Sequence, residues 1–321
     1  MLKSMKKILF LCLSSLLLIS SCSNTKTSNT ESSQTTDEID SSLDEYSDEP
    51  FFFEKLTDTT CRVTGNSENQ LGKDIEEITI PSYSPDGLKV VAIGYFNERK
   101  RLKKITIPNT VTSILGCTFS KNSSLTEVTF EKGNMLETIP NNVFEYCCCI
   151  ENIQLPNHIK TIEKEAFYNC TGLKSINLPE SIEKIEEKAF FGCQSLTNIE
   201  IPKNLKYLDN ISFYSCDALT SVIIPSTIHT IKDFTNCDKL ENVTIQDGVR
   251  EILKFCFSND NALKKIFIPK SVGVIEKYAF AECSKDLTIY CAATSQPASW
   301  DDDWNSSNYK VVWSATREDV Q

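Results

Sequence analysis

The chain has 321 residues, 40% of them hydrophobic, enough for one long domain or two ordinary ones. With 33 Lys+Arg against 44 Asp+Glu the formal charge is −11, which argues against the clustered basic surface that nucleic-acid phosphates require. Only 10 glycines and two histidines (His158 and His229) occur, with no GxGxxG or GxxxxGK[ST] spacing, so phosphate loops and His-based chemistry have little to build on.

In chain order, the first element is an export signal. Lys3, Lys6 and Lys7 form a basic start, and Ile8 to Ser20 is an apolar run of signal-peptide length, too short to span a bilayer. It ends in Ile19-Ser20-Ser21-Cys22. That segment resembles the bacterial lipobox, in which an aliphatic residue and two small residues precede the Cys that receives the lipid. We therefore expect a lipoprotein signal over 1–21 with Cys22 as the attachment site. The alternatives are an ordinary secretory signal with an incidental Cys, or an uncleaved anchor. Residues 22–49 are rich in Ser, Thr and acids, with eight Asp/Glu against Lys26 alone, and almost no large apolar side chain. Such a segment cannot bury enough surface to fold, and its like charges keep it extended, so it reads as a disordered tether.

From residue 75 the chain repeats. Leu173-Lys-Ser-Ile176-Asn-Leu178-Pro179, followed by Ile182, Ile185, Ala189-Phe190 and Cys193, recurs from Leu196 as Ile199, Ile201-Pro202, Leu205, Leu208, Phe213 and Cys216. The unit is L-x-x-I-x-I-P-x-x-I-x-x-I-x-x-x-A-F-x-x-C-x-x, about 23 residues long. Full units start at Ile75, Leu102, Leu125, Ile150, Leu173, Leu196, Leu219, Leu240 and Leu263, with a partial unit at Leu287. In each unit the alternation of a strand turns Leu173, Ile176 and Leu178 inward and Ser175 and Asn177 outward. Pro179 has no N–H for a further ladder bond and ends the strand. Ile182 and Ile185 return along the opposite wall, Phe190 fills the interior, and Cys193 closes the turn. One unit has no closed core; stacked units bury each other. The prediction is a repeat solenoid with a parallel β-sheet along one face, mostly strand and turn with short helical segments, about nine repeats long.

The L-x-x-I-x-I-P strand, the A-F pair and the Cys three residues before the next Leu resemble the BspA-type leucine-rich repeat of bacterial surface proteins. The resemblance runs over about residues 51–315. It implies N-terminal cap strands over 50–74, a leucine-rich-repeat solenoid over 75–290 and a C-terminal cap over 291–321, the last carrying Trp300, Trp304 and Trp313. Three places depart from the pattern. Repeat one has an insertion around Tyr83 to Lys89, repeat seven is two residues short before Phe234, and repeat eight has Gln246 for Pro and Asp260 for Cys.

The 14 cysteines pose a choice between disulfides, zinc and packing. Cys147, Cys170, Cys193, Cys216, Cys237 and Cys283 share one repeat position, with Asn122 at the same place in repeat two. A buried ladder of free thiols explains them, Cys behaving there as a small hydrophobe. Neighbouring Cα atoms about 4.8 Å apart leave disulfides open, though parallel side chains bridge poorly. No CxxC…CxxC or Cys/His spacing supports zinc, Asp301-Asp302-Asp303 lacks the spacing of a calcium loop, and neither G-x-S-x-G nor H-E-x-x-H occurs. We expect no enzyme activity, no cofactor and no metal.

Two outward columns of the sheet can be read from the register. One passes through Asn242 and Lys265, the other through Ile223, Thr244 and Phe267. Most entries are small and polar; Ile223 and Phe267 are not, and apolar side chains on a solvated face are informative. Ile223, Thr244, Phe267, Asn242 and Lys265 are therefore the candidate partner-binding residues, unless strand propensity explains Ile223 and the C-terminal cap covers Phe267. The expected function is an exported, lipid-anchored module, at the bacterial outer membrane or cell surface. Its sheet face binds a protein ligand and no nucleic acid. The resemblance implies adhesion to host matrix, host cells or other microbes; an envelope-facing scaffold with no host role is the alternative.

Overall fold

The computed structural model describes residues 51–65 and 75–320. The L-x-x-I-x-I segments stack as short parallel strands along one front face, in three successive sheets: Glu77–Thr79, Lys104–Ile107 and Glu127–Phe130; Asn152–Gln154 and Ser175–Asn177; and Ser221–Ile224, Asn242–Ile245, Lys265–Ile268 and Thr288–Cys291, with repeat six joined through a single bridge from Asn198 to Ser221. Equivalent repeat positions face each other directly, as in Ser175 opposite Asn152 and Ile176 opposite Ile153. Zero offset is what identical patterning demands, because a one-residue slip would turn every inward Ile to solvent. Pro108, Pro225 and Pro269 stand immediately after their strands.

A second row returns along the opposite wall, with two-residue strands such as Thr161–Ile162, Lys184–Ile185 and Tyr207–Leu208 in parallel register. The third wall is made of turns that bond to the next repeat through backbone groups, Phe167 N–H donating to the Ala189 carbonyl at 2.8 Å. These turns place a left-handed residue two positions before and two after the central Phe, for example Glu165 (φ 57°) and Asn169 (φ 53°) around Phe167. Helix among the described residues is confined to one 3-10 turn, Arg317–Val320.

The core is a single column. Phe96, Phe119, Phe144, Phe167, Phe190, Phe213, Phe234, Phe257 and Phe280 are all 0–1% exposed. Successive rings stack with centroids between 5.3 Å (Phe167–Phe190) and 6.1 Å (Phe96–Phe119). Each end of the stack is closed by an edge-on ring. Phe51 meets Phe96 at 6.2 Å and 65°, and Trp304 meets Phe280 at 6.1 Å and 82°. Phe51–Lys55 pairs antiparallel with Thr60–Gly65, which joins Lys89–Gly94 at the head of the second row. At the other end Lys310–Trp313 pairs with Thr288–Cys291 and lengthens the front sheet by one strand.

Where the repeat pattern breaks, a polar side chain takes over a backbone role. The shortened turn of repeat seven puts Asp233 at the usual Ala position, fully buried, its Oδ1 accepting the Ser212 N–H at 3.0 Å. Its other oxygen has no partner among the described residues. Gln246, in place of Pro, accepts the Ser226 N–H at 3.1 Å through Oε1.

Candidate functional site

The outward columns fall where the alternation puts them. Ile223 lies opposite Thr244, and Thr244 opposite Phe267, on three adjacent strands. Asn242, Thr244 and Lys265 are exposed, and Ile223 is 57% exposed. Phe267 does not belong to the exposed patch. Its position in the register is outward, yet its side chain is 9% exposed. The C-terminal 3-10 turn folds back over the sheet and lays the Arg317 guanidinium on the ring, 4.9 Å from its centroid. Sequence reading had no way to single out Arg317, which lies beyond the last repeat and carries no repeat position.

Arg317 makes two further contacts. A guanidinium nitrogen donates to the Ile245 carbonyl at 2.8 Å, and one lies 3.5 Å from an Asp247 carboxylate oxygen. The Lys265 ammonium reaches the Val320 carbonyl at 3.4 Å. Lys264, Lys265, Asn242, Thr244, Phe267 and Arg317 line a shallow groove of about 600 Å³ on this end of the sheet. At the opposite end the same face carries exposed charge pairs, Lys104 lying between Glu77 at 3.5 Å and Glu127 at 3.7 Å.

The cysteine column lies inside the molecule. Cys147, Cys170, Cys193, Cys216, Cys237 and Cys283 are buried and free. Each thiol donates to the carbonyl of the Phe one repeat back: Cys170 to Phe144 at 3.0 Å, Cys193 to Phe167 at 3.3 Å, Cys283 to Phe257 at 2.8 Å. Burial in this apolar channel pushes the Cys193 thiol well above its ordinary value, so it is held as a neutral donor. Asn122 does the same work with an amide, donating to Phe96 O at 2.9 Å and accepting the Arg99 N–H at 2.6 Å. Asp260 repeats half of that arrangement. Its Oδ1 accepts the Cys237 N–H at 2.9 Å, its other oxygen is unpartnered, and burial pushes its carboxyl well up. Cys148 and Cys149 stand off the ladder, half-buried and exposed. His158 and His229 are exposed.

A model of the BspA type leucine rich repeat region, present in six copies, matches residues 68–173, 137–234 and 232–295. The chain belongs to the BspA-type leucine-rich repeat family. Solved structures of similar fold include three of bacterial origin. A leucine rich cell surface protein from Faecalibacterium prausnitzii is 20% identical, with a TM-score of 0.43 over 85% of this chain and 95% of that one. A leucine rich repeat protein from T. pallidum is 22% identical, with a TM-score of 0.43 over 63% of this chain and 81% of that one. The pneumococcal vaccine antigen PcpA is 16% identical, with a TM-score of 0.44 over 83% of this chain and 97% of that one. No curated protein matches the chain. In this BspA-type solenoid Cys22, the signal over 1–21, the tether over 22–49 and residues 66–74 of the N-terminal cap lie outside the described residues.

Proposed function

We propose that this BspA-type protein is exported, anchored through a lipid on Cys22, and binds a protein partner at the cell surface through its front sheet. Adhesion to host matrix, host cells or other microbes is the role this reading assigns it. The observation that carries the reading is Ile223, a large apolar side chain 57% exposed in a column whose other exposed members include Asn177, Glu200 and Thr244, all polar. Exposure of such a side chain is tolerated on a solvated face and gains most when a partner covers it. The binding surface is accordingly centred on Ile223, Asn242, Thr244 and Lys265. Phe267 forms its floor rather than its exposed part.

The lipid supports the same reading. Each buried CH₂ adds about 0.8 kcal/mol, so several acyl chains on Cys22 hold the protein at a membrane while the acidic tether carries the solenoid outward. The test has two arms. Cells displaying wild-type protein or Ile223→Ser should differ at least fivefold in attachment to immobilised matrix protein or to host cells, with the variant's melting temperature unchanged. Equal attachment by the folded variant moves the binding surface off the sheet. Cys22→Ser should shift the protein from the detergent phase to the aqueous phase, and detergent partitioning equal to wild type removes the anchor from the reading.

A further inference from the structure

We infer that the groove between strands Asn242–Ile245 and Lys265–Ile268 is an arginine-docking site, closed in the free chain by Arg317 and opened to take an arginine from a turn-forming segment of the partner. The inference rests on the front sheet being the binding surface and adds the chemistry of what it binds.

Three groups meet there. The first is a carbonyl with no ladder donor. On the strand before, Ile224 O accepts from Gln246 N–H at 3.1 Å, and on the strand after, Ile268 O accepts from Ala292 N–H at 3.0 Å. The residue that would serve Ile245 O in the same way is Pro269, which has no N–H. A strand-end carbonyl is thus left pointing at the groove, and Arg317 fills it at 2.8 Å. The second group is the Phe267 ring, which follows Glu200, Ile223 and Thr244 in its column and is followed by Tyr290 on the next strand. The third is Asp247, at a position where the flanking repeats have Ser226 and Lys270. A flat cation-binding face, an in-plane acceptor and a carboxylate together match a guanidinium. Its plane stacks on the ring while its edge donates in two directions. An ammonium satisfies only the charge.

The chain's own tail shows how an occupant sits. Asp319 accepts from the Thr316 N–H at 2.6 Å and from its hydroxyl at 2.9 Å, and this turn presents Arg317 downward. Val320, later in the same turn, brings its carbonyl to 3.4 Å from the Lys265 ammonium. The partner segment is therefore an arginine presented by a turn of this kind. The tail is held loosely enough to exchange. The Arg317–Asp247 pair is solvent-exposed (41% and 73%), a setting in which ion pairs contribute little, and past Ala315, among the described residues, the bonds from tail to sheet besides it are the Arg317–Ile245 hydrogen bond at 2.8 Å and the Lys265–Val320 contact at 3.4 Å.

The test uses the full chain and a labelled hexapeptide, Ala-Thr-Arg-Glu-Asp-Val with blocked ends, beside its Lys analogue. Arg317→Ala vacates the groove in a tail that supports no core contact. It should bind the Arg peptide at least tenfold more tightly than wild type does, by fluorescence anisotropy, and prefer it at least tenfold over the Lys peptide. Asp247→Asn in the Arg317→Ala background should weaken the Arg peptide several-fold. Arg317→Lys should give an intermediate affinity, since charge is kept and the stack is lost. Equal peptide binding by wild type and Arg317→Ala, or equal binding of the two peptides, overturns the site. Concentration-dependent dimers of wild type that vanish in Arg317→Ala would make a second copy's tail the occupant and overturn the partner assignment. Since the peptide is supplied, the result stands apart from whether cells attach through Ile223.

Discussion

Asp233 should make this solenoid more stable in mild acid than at pH 8, and Asp233→Asn should remove its share of that dependence. The carboxyl is fully buried, and desolvation is the main cause that raises it from an ordinary 3.8 to about 7. The Ser212 N–H bond and the Lys232 charge lower it, while the Asp209 charge opposes Lys232. Between pH 3.8 and about 7 the folded state therefore keeps a proton that the unfolded chain has lost. Stability falls as pH rises across that window, by up to about 1.4 kcal/mol per pH unit, and levels off on either side. The whole change amounts to about 4 kcal/mol at most. Water entering at the shortened turn would reduce it.

Asparagine keeps an oxygen for the Ser212 N–H and sets an NH₂ where the carboxyl already has an unpartnered oxygen, so both forms share an unsatisfied group below pH 4. The stability difference between variant and wild type should thus be near zero at pH 3.5 and reach about 2–4 kcal/mol in favour of Asn at pH 8. Urea midpoints followed by far-ultraviolet circular dichroism at several pH values give the difference directly, and the contribution of Asp260, common to both proteins, cancels. A difference that stays constant from pH 3.5 to 8 would refute the reasoning, because it would mean that the buried carboxyl does not titrate between its folded and free values.

Further outcomes follow from the core and the turns. Phe190→Ala should cost about 3–5 kcal/mol, since it opens a cavity in a stack whose neighbours at 5.3 and 5.4 Å are themselves fixed by the repeat. Cys193→Ala should cost about 1–2 kcal/mol, through a small void and the loss of the donor to Phe167 O; equal losses for the two variants in urea unfolding would contradict the ladder geometry. Ile211 is β-branched at φ 51°, where its equivalents include Asn142 and Glu165, so Ile211→Asn should stabilise by about 1 kcal/mol and raise the melting temperature.

The repeating part of the molecule was legible because every anchor has a one-body reason. Alternation assigns Ile176 inward whatever its neighbours are, and Pro179 ends a strand by what it lacks. Nine copies average out the ambiguity that any single 23-residue segment would carry. The same logic fails where the chain stops repeating. Phe267 could be placed in its column from sequence, but not covered or uncovered, since that depends on a tail with no repeat position. Pro269 leaves the Ile245 carbonyl without a ladder donor, but Pro202 and Pro225 do the same to Leu178 and Ile201, so the sequence alone does not single out the carbonyl that Arg317 serves. Asp233 and Asp260 read as departures from Ala and Cys, and only the geometry turns them into replacements. In the short turn Asp233 accepts the Ser212 N–H, and Asp260 holds the same N–H that Asn122 holds in repeat two. Irregular repeats are thus the places where polar side chains take over backbone work. In this chain they lie beside the groove that Arg317 closes, so the least regular stretch of the solenoid is also the one with specific chemistry to offer a partner.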